Sequence, residues 1–324
     1  MGEFDLIARY FNRPARRAVM GVGDDCALWQ PQPGMQLAVS SDMLVEGRHF
    51  LSTVSPQRLG HKALAVNLSD LAACGARPLA FTLALSLPHI DEAWLQGFSK
   101  GLLSLADQHQ CELIGGDTTQ GPLNICITVF GEVPPGDALM RSGAQTGDDI
   151  YVSGHVGDAR LALEVFRGHV KLDANFFEAA RWRMEQPEPR VALGLALRGI
   201  ANACIDISDG LIGDLGHLLK ASAVGAVVTT DWISDSAAVS PALQSLPLNK
   251  RLDMALAGGD DYELLFTAAP DQAHAVQEAA NDCDIAVTCI GRISAAQGLQ
   301  VLDNHGMPIS RRFASFDHFS HKYT

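Results

Sequence analysis

Six short stretches of this chain set an aspartate beside a glycine or serine at the edge of an apolar segment: GVGDDCALW, AVSSDMLVEG, VNLSDLAACG, LIGGDTTQG, CIDISDGL and ALAGGDDYELLF. The pattern constrains the fold, because the apolar runs have the length of strands or buried helices and the polar edges carry the turn chemistry that ends them. A chain of this kind alternates strands and helices and gathers carboxylates near their ends. In the last stretch Asp260, Asp261 and Glu263 stand close together, where like charges repel; Asp260 and Asp261 tolerate that proximity if a cation, amide donors or water separates them.

At 324 residues the chain suits two domains of roughly 150 residues each, either able to bury its own core. With 47% hydrophobic and 19% charged residues it is not a disordered chain. No apolar run approaches the ~18 residues of a membrane helix, so no membrane role is expected. The N-terminal MGEFDLIARYFNRPARR lacks the apolar core of a secretory signal, which gives a cytoplasmic expectation. Seven scattered cysteines, never spaced C-x-x-C, fit neither a disulfide framework nor a zinc site. The 37 acids against 24 bases give a net charge of -13, which opposes nucleic-acid binding. An acidic chain still binds a small polyanion such as ATP when divalent cations lie between carboxylates and phosphates.

Along the chain, Leu37 to Ser41 reads as a short strand running into Asp42, and PQRLGHKALAVNLSDLAACGARP as a helix stopped by Gly75 and Pro78. Asn67 and Asp70, three apart, share a face of that helix. LAFTLALSLP is a strand, Asp91 caps a helix from about Glu92 to Gln108, CELIGG is a strand leading into Asp117, and LNICITVFGEV is another. A turn-rich stretch near Arg141 to Asp148 holds the domain boundary. Beyond it come the strand DIYVSG, a helix from Asp158, a helix in PRVALGLALRGIA, and a strand, turn and helix in ACIDISDGLIGDLGHLLKASA. A polar loop then precedes GGDDYELLF, which places Glu263 on a strand; a helix near Asp271 to Asn281 and the strands IAVTCIGRI and GLQVLD follow.

No G-x-x-x-x-G-K-[ST], H-R-D loop or G-x-S-x-G elbow is present, which removes P-loop nucleotide hydrolysis, protein-kinase chemistry and serine hydrolysis. Oxygen chemistry remains. Asp25, Asp42, Asp70, Asp117, Asp206 and Asp209, without histidine or cysteine co-ligands, suit hard cations such as Mg²⁺. Any one aspartate beside a glycine is a common turn or cap pair. Asp70 stands apart, because aspartate is a poor helix former and here lies mid-helix.

Taken in order, GVGDDCAL, SSDMLVEGRHF, KALAVNLSDLAACGARP, LIGGDTTQGPL, RSGAQTGD, IDISDGLIGDLGH and GGDDYELLF resemble the thiamine-monophosphate kinase family of the aminoimidazole ribonucleotide synthetase-like superfamily. The similarity runs from GEFDLIARYF to FDHF. It implies a two-domain fold of α/β and α+β type. An N-terminal ATP- and Mg-binding domain over 1–144 pairs with its twin as a barrel across a homodimer, and a C-terminal α+β domain covers 145–324. It further implies ATP-dependent phosphorylation of thiamine monophosphate to thiamine diphosphate, with several Mg²⁺ ions. On the matching positions, Asp25, Asp42, Asp70, Asp117, Asp206 and Asp209 would ligate metal, with Ser40 and Ser41 adding oxygens. Gly116, Arg141 and Ser208 would contact ATP; His49 and Glu263 would contact substrate, and Phe316 stands where the family commonly has an aromatic residue against thiamine. Three positions depart from the pattern: Ser41 for threonine, Asp260 for glutamate and Phe316 for tyrosine.

The chemistry agrees with the resemblance. The nucleophile is a substrate phosphate oxygen, anionic near neutral pH, so no catalytic residue is needed as general base. Glu263 and Phe316 would favour a positive thiazolium, and Gly258 and Gly259 would let backbone approach a ligand closely. The alternatives are another ATP-dependent enzyme of the same superfamily, or a non-catalytic nucleotide- or cation-binding regulatory module.

Overall fold

The structure is a computed structural model that describes residues 2–311 and 313, apart from 24 and 236. The chain divides into two compact units. One holds the residues up to Leu71 together with Ala76–Ala138 and Glu185–Val191; the other holds Ala72–Gly75, Leu139–Met184 and the described residues from Ala192 onward.

In the first unit the elements are α1 (Glu3–Tyr10), β1 (Gln36–Val45), α2 (Pro56–Ala73), β2 (Arg77–Leu87), α3 (Glu92–Gln108), β3 (Glu112–Gln120) and β4 (Asn124–Val133). The strands form a sheet in the order β1-β4-β2-β3, antiparallel except for the β2–β3 pair. Ile125, Ile127 and Val129 alternate along β4, and Phe81, Leu83 and Leu85 along β2, so one face of the sheet is core. Leu64, Leu68 and Leu71 of α2 and Phe98 and Leu102 of α3 are buried with them; each such side chain stabilises the fold by roughly 1.5–3 kcal/mol through burial. Asp91 caps α3 as its sequence implies, accepting from the N–H groups of Ala93 and Trp94 at 2.9 and 3.1 Å. On β1, Leu37, Val39 and Met43 are more than half exposed.

In the second unit the elements are β5 (Asp149–Ser153), α4 (Asp158–Phe166), α5 (Ala174–Glu185), α6 (Val191–Ala196), β6 (Ala203–Asp206), α7 (Leu211–Ser222), β7 (Gly225–Thr229), α8 (Trp232–Asp235), α9 (Pro241–Gln244), α10 (Leu248–Ala257), β8 (Leu264–Ala268), α11 (Ala273–Asp282), β9 (Val287–Ser294) and β10 (Gly298–Leu302). The sheet order is β10-β7-β9-β5-β8-β6, with only β10 and β7 parallel. Ile150, Val152, Ile205, Leu215, Leu218, Val228 and Leu265 lie in its core. Among the described residues no helix is long and apolar enough to cross a membrane.

Three expectations change. β1 and β3 continue through Asp42 and Asp117 instead of ending before them, because the neighbouring strands carry the ladder on: Asp42 pairs with Ile127, and Asp117 with Ala84. The stretch expected as a polar loop before GGDDYELLF contains β7, α8, α9 and α10. Its apolar residues are buried in short groups of one to three, such as Trp232, Ile233, Val239 and Leu243, so no long periodic run announces them. Glu263 immediately precedes β8, since the ladder with β6 begins at Leu264.

Candidate active site

On β1, residues two apart share a face, so Ser40 and Asp42 lie together and Ser41 lies opposite. Asp70, expected mid-helix, lies in the last turn of α2, because the helix ends at Ala73; it meets the first pair, Ser40 Oγ donating a short hydrogen bond to Asp70 Oδ2. Asn67, one turn earlier on α2, accepts from the Asp42 N–H at 3.0 Å through Oδ1 and donates through Nδ2 to Ala63 O. Burial, then the neighbouring Asp70 carboxylate, push Asp42 up to about 6. Two carboxylates and a hydroxyl held this closely form an all-oxygen donor set, and Mg²⁺ is commonly held by one or two carboxylates together with substrate phosphates and water. The donor chemistry therefore fits the ion. Among the described residues, no group of three or more His, Cys, Asp or Glu side chains is gathered closely enough to hold a metal.

The structure does not bring the whole expected metal set to this pair. The Ser41 hydroxyl binds Ile127 O at 3.1 Å and Thr128 Oγ1 at 2.9 Å across the ladder to β4. Asp117 is exposed on β3, the opposite edge of the sheet from β1; three strand spacings put those edges about 14 Å apart. Asp25 is exposed in the bend after Gly23. Gly116 has φ +147°, and a Cβ there would lie 1.8 Å from Leu83 O, so β2 alone already demands glycine. His49 closes the turn after β1, its Nδ1 accepting from the Val45 N–H at 3.0 Å, which leaves Nε2 to carry the proton of the neutral ring.

In the second unit, β6 delivers buried Asp206 into the turn Ser208–Gly210 at the start of α7. GGDDYE lies along that turn: the N–H groups of Asp260 and Tyr262 donate to Ser208 O and Ile207 O at 2.8 and 2.9 Å. Asp260 and Tyr262 hold left-handed backbone, φ +73° and +53°, which costs free energy and which the surrounding hydrogen bonds enforce. A Cβ on Gly259 would lie 2.4 Å from Ser208 O, so the close approach made at this glycine is by the protein's own turn.

The crowded acids are turned to different partners. Asp261 Oδ2 accepts from the Gly157 N–H at the start of α4 at 2.9 Å. Glu263, wholly buried, accepts from Ser153 Oγ at 2.6 Å and is ion-paired to Arg183 of α5. Nearby Asp158 accepts from Ser240 Oγ. Burial holds Asp158 and Asp261 above the usual carboxylate range. Glu263, expected as a substrate contact, is wholly buried in this structure, and its carboxylate is paired with Arg183. Arg141 is exposed, its carbonyl held by Ser222 Oγ at 3.1 Å. Phe316 lies outside the described residues. A cavity of about 350 Å³ elsewhere in this unit is lined by Arg160, Glu164, Lys250, Asp253, Met254 and Phe313 among others, and none of the expected site residues borders it.

Residues 23–133 match the family described as AIR synthase related protein, N-terminal domain, and residues 135–304 match AIR synthase related protein, C-terminal domain. The thiamine-monophosphate kinase of Salmonella typhimurium strain LT2 is 45% identical over 98% of this chain and 98% of its own length. The chain belongs to the thiamine-monophosphate kinase family. A crystal structure of thiamine-monophosphate kinase from Stenotrophomonas maltophilia K279a superposes with a TM-score of 0.84 at 46% identity, covering 94% of this chain and 96% of that one. The structure described as AaThiL complexed with AMPPCP and TMP has a TM-score of 0.76 at 29% identity, covering 92% of both chains. This chain thus has the family's two-domain AIR synthase-like fold.

Two residues of this family member escaped the sequence reading. Arg183 is 80 positions from Glu263 and sits in a helix, α5, that no motif marked. Asp214 had a weak signal, an acid in the first turn of a helix after SDG.

Proposed function

We propose that this chain is an ATP-dependent kinase that phosphorylates thiamine monophosphate to thiamine diphosphate. The observation that carries the reading is a near full-length match to thiamine-monophosphate kinases, one structural relative of which is complexed with AMPPCP and TMP. The acceptor brings its own nucleophile, a phosphate oxygen, so the protein's task is to hold two anions together. Asp42 and Asp70 with Ser40 would hold Mg²⁺, and we assign Asp25, Asp117, Asp206, Asp209 and Ser41 to the same role on the strength of the family pattern. Mg²⁺ bound there supplies the positive charge that offsets repulsion between the phosphates. The residues to 144 would carry the ATP, metal and dimer functions and 145–324 the α+β domain.

Arg141, exposed on a backbone fixed by Ser222, offers its planar fork to ATP phosphate, and Gly116 and Ser208 are assigned to ATP on the family pattern. His49, with Nδ1 occupied, directs an Nε2 proton to substrate phosphate. Glu263 acts through Arg183: it orients a guanidinium whose side chain is 25% exposed, which favours the anionic end of the substrate. Phe316 is left as the aromatic contact for the thiazolium. The enzyme would work in the cytoplasm.

We also propose that the first unit closes a barrel with its twin in a homodimer. The exposed row Leu37, Val39 and Met43, on an edge strand, supports this, since such a face invites a partner. Sedimentation at micromolar concentration is expected to give a dimer; a fully active monomer refutes the barrel. The kinase reading itself is tested by acceptor choice with ATP and Mg²⁺. Thiamine monophosphate should be consumed, whereas free thiamine, which lacks the phosphate nucleophile, should not; turnover of free thiamine at a comparable rate contradicts the assignment.

A further inference from the structure

Asp214 is 3% exposed, and Oδ2 accepts from three consecutive backbone N–H groups, those of Ser208, Asp209 and Gly210, at 3.1, 3.1 and 3.0 Å. Successive N–H groups at a strand-to-helix turn are the arrangement by which many loops cradle phosphate. Here the protein's own carboxylate fills the cradle. The other side of the turn is held as firmly, with Ser208 O accepting from the Asp260 N–H and Ile207 pairing with both Tyr262 and Glu263. Ser208 and Asp209 keep half-buried side chains between these two clamps.

We propose that Asp214 is a positioning residue for nucleotide binding: it fixes the turn that presents Ser208 and Asp209 and closes that turn's amides to direct contact with phosphate. This rests on the assignment of Ser208 to ATP and Asp209 to metal. A helix cap could stabilise α7 with one or two hydrogen bonds. Using all three N–H groups of the turn, including those of the two assigned residues, goes beyond capping, because any drift of the carboxylate moves Ser208 and Asp209 together. It also gives a chemical consequence. Phosphate meets occupied amides at this turn, so it approaches through the Ser208 hydroxyl or through a cation held by Asp206 and Asp209.

The test is calorimetric, on the full chain, with AMPPCP and Mg²⁺ as the probe. Asp214→Asn keeps shape and one acceptor oxygen but replaces the other oxygen with an N–H donor, and it should weaken AMPPCP binding by about 10–100-fold, the scale of losing a group that orients a metal ligand. Asp214→Ser, with a single shorter hydroxyl, is read the same way should the amide disfavour folding. In EDTA the serine variant should also bind inorganic phosphate more tightly than the parent, since amides have been uncovered. Asp91→Ala is the control for capping alone: it should lower Tm by a few degrees with AMPPCP affinity unchanged. If the Asp214 variants only lower Tm, and AMPPCP affinity stays within about twofold of the parent, Asp214 is a helix cap and the proposal falls. Asp209→Asn separates the two levels. Unchanged Mg·AMPPCP binding in that variant would remove the underlying assignment of Asp209, whatever Asp214 does.

Discussion

Asp70→Asn should lower kcat by at least about 100-fold, the scale of removing one preorganised electrostatic group, while leaving the protein folded. The amide has the volume of the carboxylate and still accepts from Ser40 Oγ, so the packing of α2 on β1 is kept. What disappears is the negative charge beside Asp42, the neighbour that together with burial lifts Asp42 out of the usual carboxylate range. Two carboxylates held together cost stability when nothing lies between them. Tm is therefore expected to stay level or rise as activity falls, the trade seen when a functional site is relieved of strain. Steady-state kinetics over a Mg²⁺ titration, with a thermal melt alongside, read both effects. Normal activity with a normal Mg²⁺ dependence would make Asp70 a structural helix residue.

The second large effect is on nucleotide affinity. With a net charge of -13, the chain opposes a polyphosphate at long range, and most of the side chains proposed for metal and nucleotide are acids. Arg141 and a few hydroxyl or backbone groups cannot neutralise a triphosphate alone, and Asp214 already occupies the amides of the β6–α7 turn. Removing divalent cation should weaken AMPPCP binding by about 100-fold or more, the sum of ~3 kcal/mol of lost charge compensation. Calorimetry in excess EDTA against excess Mg²⁺ measures the difference. Equally tight binding in both would show that the carboxylates do not act through metal.

How much of this was legible in the sequence depended on whether the partners were local. The α3 cap at Asp91 is a short-range feature and was readable, as was the shared face of Asn67 and Asp70 on α2. That Asp70 meets Ser40 was not, because a strand 30 residues away supplies the contact. Strand lengths failed for the same reason: β1 runs through Asp42 only because β4 lies beside it. The answer to the crowding in GGDDYE also came from far along the chain, with Gly157 taking Asp261 and Arg183 taking Glu263. Motif spacing marks where acids gather; burial and long-range pairing decide which of them stay open to a ligand. Glu263 and Asp214 are both closed by burial and pairing, Glu263 with Arg183 and Asp214 with three backbone N–H groups, and neither partner set is marked in the local sequence.

The most direct measurement of the central claim is product identity. The chain is incubated with ATP, Mg²⁺ and thiamine monophosphate, and the mixture is resolved by chromatography. Thiamine diphosphate and ADP should form in equal amounts, and the conversion should be absent without Mg²⁺. If no thiamine diphosphate appears while aminoimidazole ribonucleotide or selenophosphate forms from the corresponding substrates, the kinase function is wrong and the two-domain fold alone remains.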